Sequence, residues 1–133
     1  MSLSDGARKL VDGENPGILA TINPDGSPQT SVVWVGRDGD DVVISTTAGL
    51  RKDLNLRRDP RASLLVIARD DPDEYVEIRG SAVITEDAGR ALAFQLAEQY
   101  EGEGAGQEYL DLPADVLRTV IRISPTKLTG PAA

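Results

Sequence analysis

The 133-residue sequence contains no cysteine and no histidine. The first absence excludes disulfides, thiolate metal sites and a cysteine nucleophile, and the second excludes Ser-His-Asp triads and imidazole ligands. Aromatic residues are also scarce, at 4% of the chain, with one tryptophan, Trp34. Any chemistry must therefore use carboxylates, lysine, arginine, tyrosine, hydroxyls, backbone groups or a bound cofactor.

Long hydrophobic runs and an excess of positive charge are absent as well. No apolar run approaches the roughly 20 residues of a membrane span, and the first residues lack the basic-then-apolar pattern of a signal peptide. The 14 basic and 22 acidic residues give a net charge of -8, which repels polyanions on average. We therefore expect a cytoplasmic protein with neither a membrane nor a nucleic acid as partner.

Length and hydrophobic patterning predict one α+β domain that spans residues 1–133. Gly26 fits a tight hairpin turn, and Gly80 fits a bulge that curls a sheet. The pattern favours a small antiparallel barrel or open barrel, in which a ligand would lie at the rim or between subunits. We predict strands at 17–23, 28–35, 41–46, 62–68, 75–84 and 116–123, and helices at 3–11, at 50–58 and from Thr85 onward.

The basic residues are concentrated in one segment. Five of the 14 lie between Arg51 and Arg61, directly after Thr46, Thr47 and a glycine at a predicted helix start. Hydroxyls, backbone N–H groups and cations at a helix N-terminus favour a phosphate. The same residues also fit an ordinary solvated helix face. Of the cluster, Arg51 and Lys52 are placed best to face an anion.

Two further features fit either a ligand site or simple packing. The strand from Gln29 to Val35 mixes polar and β-branched residues that could lie along a flat ring, or it could pack with Trp34 in the core. Tyr100 and Tyr109 flank a glycine-rich loop, where they could close over a site, donate a proton or only pack.

Four segments, taken in their order and spacing, resemble a known family. They are Gly17-Ile18-Leu19-Ala20-Thr21 followed by Pro24-Asp25-Gly26-Ser27-Pro28-Gln29; Arg51-Lys52 followed by Asn55-Leu56-Arg57-Arg58-Asp59-Pro60-Arg61; Gly80-Ser81-Ala82; and Val120-Ile121-Arg122-Ile123-Ser124-Pro125-Thr126-Lys127. Through them the chain resembles the pyridoxamine 5′-phosphate oxidase-like proteins over nearly its whole length. The second and fourth segments look like the branch that uses the deazaflavin coenzyme F420.

The resemblance implies a six-stranded antiparallel split β-barrel with short helices, mainly β within the α+β class. It implies a homodimer with each cofactor in a groove at the subunit interface. Lys52 and its neighbours would hold the cofactor phosphate, Asn55 would support their loop, and the strand from Gln29 to Trp34 would lie along the ring system. The expected cofactor-binding residues are Gln29, Ser31, Val32, Val33, Trp34, Ser45, Thr46, Thr47, Leu50, Arg51, Lys52 and Asn55.

The chain also departs from the oxidase that names the family. Ser31 stands where the oxidase has a basic residue, and no basic groups for a pyridoxal phosphate substrate are evident, which argues against vitamin B6 oxidation. The arginine-rich composition fits a GC-rich genome of the kind in which F420 is common. The expected function is hydride transfer from reduced F420 to a small planar or conjugated acceptor. The alternatives are an FMN-binding reductase or oxidase and a flavin or deazaflavin carrier without turnover. No metal site is expected.

Overall fold

The computed structural model describes all residues from Met1 to Ala133. It contains seven strands, β1 (Gly17–Ile22), β2 (Pro28–Val33), β3 (Gly36–Asp38), β4 (Asp41–Thr47), β5 (Arg61–Ala68), β6 (Asp71–Glu86) and β7 (Arg118–Thr129). The four helices are α1 (Asp5–Asp12), α2 (Arg51–Arg58), α3 (Ala91–Glu101) and α4 (Gln107–Leu110), and a short 3₁₀ turn (Ala88–Arg90) precedes α3. None of the helices is long and apolar enough to span a membrane.

The strands form one antiparallel sheet in the order β2-β1-β5-β6-β7-β4-β3. Its two edge strands, β2 and β3, are consecutive in the chain and are joined only by Trp34 and Val35. Because three residue steps span at most about 11 Å, the two edges must approach each other at this corner. The sheet is therefore rolled, but no ladder between β2 and β3 closes it. The α+β, mainly antiparallel prediction is confirmed.

The prediction of six strands is wrong: the strand predicted as 28–35 ends at Val33, and a short seventh strand, β3, follows it where the pattern predicts only a turn. The Val35 N–H donates to the Tyr100 hydroxyl at 3.0 Å instead of to a neighbouring strand. That hydroxyl also lies 3.2 Å from the Val35 carbonyl. A side chain thus satisfies the backbone at the break, and the chain is free to cross from one edge of the sheet to the other.

Alternation along the strands places one continuous core inside the rolled sheet. In β1, Leu19 and Thr21 point inward and are almost fully buried. Helix α1 adds Leu10 and Val11 to the same core. The Ser4 hydroxyl accepts the Ala7 N–H at 3.1 Å and caps α1, so the predicted first helix is confirmed.

Gly80 lies at the predicted irregularity, where the register between β6 and β7 shifts. A Cβ atom here would lie 2.2 Å from the Ser124 carbonyl oxygen, so only glycine permits this approach of the two strands. Gly80 pairs with Pro125 while Arg79 pairs with Lys127, which leaves Thr126 as the extra residue of the bulge. The predicted strand end at Ser124-Pro125 is therefore wrong. Proline is accepted at a bulge, and β7 continues to Thr129.

The start of α3 also differs from the prediction. Thr85 does not begin the helix, because β6 remains paired with β7 as far as Glu86. The cap is the buried Asp87, whose carboxylate accepts the N–H groups of Leu92 and Ala93 at 3.0 and 2.9 Å. Two acceptor oxygens on one side chain satisfy two of the free donors of the first turn. This cap places α3 at the end of the sheet where the candidate cleft lies.

Candidate functional site

A cleft of about 250 Å³ lies where β4 and β7 meet the end of β2, the start of α2 and the faces of α3 and α4. Its volume suits part of a small ligand rather than a whole one, so a larger ligand would extend beyond its mouth. Eleven residues line it: Val32, Val33, Trp34, Ser45, Thr46, Leu50, Lys52, Ala93, Leu96, Tyr109 and Arg118. Seven of these belong to the twelve predicted from the sequence.

The polar floor of the cleft is built by β4 and its pairing with β7. Thr46 lies opposite Thr119, and Thr47 lies opposite Arg118. Thr46 is 2% exposed, and its hydroxyl has no hydrogen-bond partner. A buried polar atom without a partner costs free energy, so the Thr46 hydroxyl is a polar group of this floor that the protein leaves unsatisfied.

Arg118 is the residue of the site that sequence analysis missed. Its guanidinium donates to the Thr47 hydroxyl at 2.8 Å and to the Ser45 hydroxyl at 2.7 Å. It also lies 5.1 Å from the centre of the Tyr109 ring, within the range of a cation–π contact. No carboxylate is close enough to form an ion pair with it. Only the pairing of β7 with β4 reveals its place, since the sequence separates the two strands by 70 residues.

Lys52 is the second cation of the cleft. It is half-buried in the first turn of α2 and has neither an ion pair nor a hydrogen bond within the protein. Burial lowers the pKa of Lys52 from its usual value, and the positive charge of Arg118 lowers it further. Two cations therefore approach each other without an anion between them, which is unfavourable unless a ligand supplies the negative charge.

The carboxylate beside Lys52 in the sequence does not neutralise it. Asp53 is 1% exposed and instead accepts Arg57 at 3.1 Å. Its other contacts include the Gly49 N–H, at 2.8 Å from Oδ2. Asp53 thus fixes the turn that precedes α2, where Gly49 has a φ of +90°, and it leaves the Lys52 ammonium free for a ligand.

The apolar wall of the cleft comes from the end of β2. Val32 is 74% exposed and Val33 is 6% exposed. The Trp34 ring stacks on Tyr100 with centroids 5.4 Å apart, and Tyr109 approaches it edge-on at 6.5 Å. On the inward face of the same strand, the Ser31 hydroxyl is buried and has no partner. A flat ring lying against these residues would meet apolar surface and an edge-on aromatic.

The two tyrosines differ in position. The Tyr109 ring lines the cleft. The Tyr100 hydroxyl, in contrast, donates to the Asn15 carbonyl at 2.9 Å and belongs to the corner where the two sheet edges meet. Burial raises the pKa of both phenols. Only Tyr109 is thus placed to act on a molecule in the cleft.

Five of the predicted residues lie outside the lining, namely Gln29, Ser31, Thr47, Arg51 and Asn55. Asn55 is fully buried and donates to Thr21 Oγ1 and Asn23 Oδ1, each at 3.0 Å, so it ties α2 to the end of β1. The Gln29 Oε1 atom accepts from the same Thr21 hydroxyl at 3.0 Å and belongs to this network. Arg51 is exposed and points to none of these groups.

Thr47 and the remaining basic residues of the cluster also lie outside the lining. Thr47 contributes only by holding Arg118. Of the other arginines in the cluster, Arg57 and Arg61 pair with Asp53 and Asp59. Arg58 donates to the Asn55 side chain and to the Ile22 carbonyl. The contacts of these three arginines are therefore with groups of the protein.

The lining as a whole is suited to an anion attached to a flat ring. Lys52 and Arg118 are cations without a carboxylate partner, and the Thr46 hydroxyl is unpaired. Trp34, Val32 and Val33 provide an apolar surface. No group of carboxylates in the structure is arranged to hold a metal ion. The residues present therefore fit an organic cofactor that carries phosphate and an aromatic ring system.

A comparison with known families matches the model of the pyridoxamine 5′-phosphate oxidase family over residues 3–130. The chain belongs to this family.

Several solved structures share the fold of this chain. An F420 reductase is 30% identical, with a TM-score of 0.82, and the match covers 96% of this chain and 98% of that one. A conserved hypothetical protein from Mycobacterium tuberculosis is 29% identical with a TM-score of 0.76 over 96% of this chain and 84% of that one. An FMN-binding protein from Nostoc punctiforme shares the fold at 15% identity, with a TM-score of 0.61 over 86% and 72% of the two chains.

Proposed function

We propose that this protein is an oxidoreductase that binds coenzyme F420 in the cleft and transfers a hydride to a small planar or conjugated organic acceptor. The observation that carries this proposal is the pairing of Lys52 and Arg118, which line one cleft without a carboxylate partner. In a chain with a net charge of -8, such a concentration of unneutralised positive charge favours an anionic ligand.

The phosphate of the cofactor would lie between Lys52 and Arg118. Charge-assisted hydrogen bonds from an ammonium and a guanidinium are about twice as strong as neutral ones. The Thr46 hydroxyl, which lacks a partner in the protein, would donate to a phosphate oxygen. Ser45 and Thr47 would act indirectly, because they orient the Arg118 guanidinium.

The ring system would lie along Val32, Val33 and Trp34. The stack of Trp34 on Tyr100 fixes the plane of the indole, and the contact with apolar side chains excludes water from one face of a bound ring. Gln29, Ser31, Leu50, Arg51 and Asn55 complete the proposed set, with Leu50 at the mouth and Asn55 supporting α2 from behind.

When bound, reduced F420 supplies the hydride, since the chain has no side chain able to undergo this redox step. The residues of the protein position the reactants and exclude water. The acceptor would take its proton from solvent or from the Tyr109 phenol, whose pKa is raised by burial. The Tyr100 hydroxyl is engaged with Asn15 and Val35 and is not a proton donor in this scheme.

F420 is favoured over FMN because the F420 reductase matches nearly the full length of both chains at 30% identity. FMN remains the second candidate, because it also carries a phosphate and a flat ring, and a protein named as FMN-binding shares the fold. The third candidate is a flavin or deazaflavin carrier without turnover. We further propose a cytoplasmic homodimer, in which the second copy would cover the open mouth of the cleft beside Val32 and Leu50.

Parallel titrations of the purified protein with F420 and FMN, followed by quenching of cofactor fluorescence, separate the first two candidates. The proposal predicts saturable binding of F420 at one molecule per chain and weaker binding of FMN. Turnover of reduced F420 with a panel of conjugated acceptors then separates an enzyme from a carrier. Tighter binding of FMN would favour the second candidate, and binding of F420 without turnover of any acceptor would favour the third.

A further inference from the structure

A single arginine outside the cleft, Arg90, binds the backbone of residues 109–116, the segment that leads into the cleft. The Arg90 guanidinium donates to five backbone carbonyls between residues 109 and 116. Its Nη1 lies 3.2, 3.3 and 2.6 Å from the carbonyl oxygens of Tyr109, Leu110 and Leu112, and its Nη2 lies 2.5 and 2.9 Å from those of Pro113 and Val116. No carboxylate pairs with Arg90, so its charge is directed entirely to these carbonyls.

Two of these carbonyls, those of Tyr109 and Leu110, belong to α4, and the other three lie in the connection between α4 and β7, which is neither helix nor strand. The Tyr109 carbonyl also accepts the Leu112 N–H at 3.4 Å, and the Pro113 carbonyl accepts the Val116 N–H at 3.0 Å. The carbonyls of Leu110, Leu112 and Val116 have the Arg90 guanidinium as their donor. The fork of an arginine can serve several carbonyls at once, which a single ammonium cannot do with the same geometry.

The turn that carries Arg90 also contacts Arg118, the first residue of β7, which follows the connection from α4. The backbone N–H of Asp87 donates to the Arg118 carbonyl at 2.9 Å, and the Arg90 N–H donates to the Asp87 carbonyl at 2.9 Å. Arg90 itself has a φ of +56°, a left-handed conformation that is uncommon for residues other than glycine. That conformation directs its side chain toward residues 109–116 while its backbone remains beside Arg118.

We infer that Arg90 is a positioning residue of the cleft, which places Tyr109 and Arg118 together by holding the segment between them. Its route to the cleft is short: Arg90 binds the Tyr109 carbonyl, the Tyr109 ring packs on the Arg118 guanidinium, and that guanidinium faces the cleft. The role in cofactor binding depends on the function proposed above, whereas the role in ordering residues 109–116 does not.

Two variants test this role, with Arg37→Ala as the control. Arg90→Gly removes the guanidinium and accepts the positive φ without strain, and Arg90→Lys keeps the charge but not the fork. Arg37 is matched to Arg90 as an arginine with several hydrogen bonds, to Asp12 and to the Gly39 carbonyl, and it lies on the edge strand β3 outside the lining of the cleft. Far-UV circular dichroism checks that each variant keeps its fold.

The first readout needs no ligand. Trp34 is the only tryptophan and lies 6.5 Å from the Tyr109 ring, so quenching of its fluorescence by acrylamide reports whether Tyr109 still covers it. We expect steeper quenching in Arg90→Gly, an intermediate slope in Arg90→Lys and no change in Arg37→Ala. Wild-type quenching in a folded Arg90→Gly protein would overturn the inference.

The second readout is F420 affinity in a double-mutant cycle with Arg118→Ala. We expect Arg90→Gly to weaken binding about tenfold, as a displaced binding group does, and to add much less when Arg118 is already alanine. Full additivity would overturn the route through Arg118. If the wild type binds no F420 while Arg90→Gly still exposes Trp34, the proposed function fails and the ordering role of Arg90 stands.

Discussion

Burial and the positive charge of Arg118 together lower the pKa of Lys52. The two side chains line the same cleft, and neither is neutralised by a carboxylate of the protein. Such an arrangement is unfavourable in the free protein, because like charges repel and burial disfavours the charged form. The negative charge of the proposed phosphate would offset both effects.

The Lys52→Ala variant should bind the cofactor more weakly by about 1–3 kcal/mol, the range for a hydrogen bond to a charged group. Folding should change little, because Lys52 makes no hydrogen bond or ion pair within the protein. Fluorescence titration measures the affinity, and thermal denaturation measures stability. Lys127→Ala, which removes an exposed lysine of β7, is the matched control. Unchanged affinity in Lys52→Ala would assign Lys52 to a solvated helix face.

Affinity for the cofactor should fall as the pH rises through the pKa of Lys52. The sign follows from the charge: the ammonium exists below its pKa, and a lowered pKa means that the charge is lost at a lower pH than for an ordinary lysine. Titrations from about pH 7 to about pH 10 measure this loss. Lys52→Arg keeps its charge over this range and should lose less affinity. Parallel pH profiles of the two proteins would exclude Lys52 as the titrating group.

The homodimer proposed above predicts that the protein sediments at twice the mass of one chain. Both edge strands, β2 and β3, have an unpaired side, and uncovered edges are usually protected in native proteins. Large apolar side chains are exposed as well, with Val32 at 74% and Val83 at 60%. Sedimentation velocity at micromolar concentration tests the assembly, and a monomer there would contradict it.

Much of the fold follows from local patterns in the sequence, and the failures have identifiable physical causes. Apolar and β-branched runs predict β1 and β5, alternation predicts most of β6, and apolar residues at helical spacing predict α1. The break after Val33 was missed because its cause is a hydrogen bond from a residue 65 positions away, Tyr100. The continuation of β7 past Pro125 was missed because it depends on Gly80, on a different strand.

The candidate site also contains residues that local sequence patterns indicate and residues that they do not. Thr46 and Lys52 were found because they lie in one local segment with an anion-binding composition. Arg118 was missed because it has no such context in the sequence, and only strand pairing places it opposite Thr47. Family resemblance predicts that Asn55 supports the loop beside Lys52, and the contacts of its buried amide with Thr21 and Asn23 were not evident from the sequence. Long-range pairing was thus the information that the sequence lacked.

Gly80→Ala should lower the free energy of unfolding by about 2–4 kcal/mol, the range for a forced steric overlap in a packed region. The added methyl group would meet the backbone carbonyl of Ser124 at 2.2 Å, and a backbone atom cannot turn aside as a flexible side chain can. Chemical denaturation measures the change. Ser81→Ala, at the exposed neighbouring residue, should have almost no effect. Equal stability of the two variants would mean that β6 and β7 do not approach each other this closely.

The most direct test of the central claim compares two ligands that differ only in phosphate. Calorimetric titration of the wild type with the phosphate-free deazaflavin core of F420 and with the 5′-phosphate of that core isolates the contribution of the phosphate. We predict that the 5′-phosphate binds at least about tenfold more tightly, and that the difference disappears in a Lys52→Ala/Arg118→Ala double variant. Equal affinity of the wild type for the two ligands would contradict an anion site built by Lys52 and Arg118.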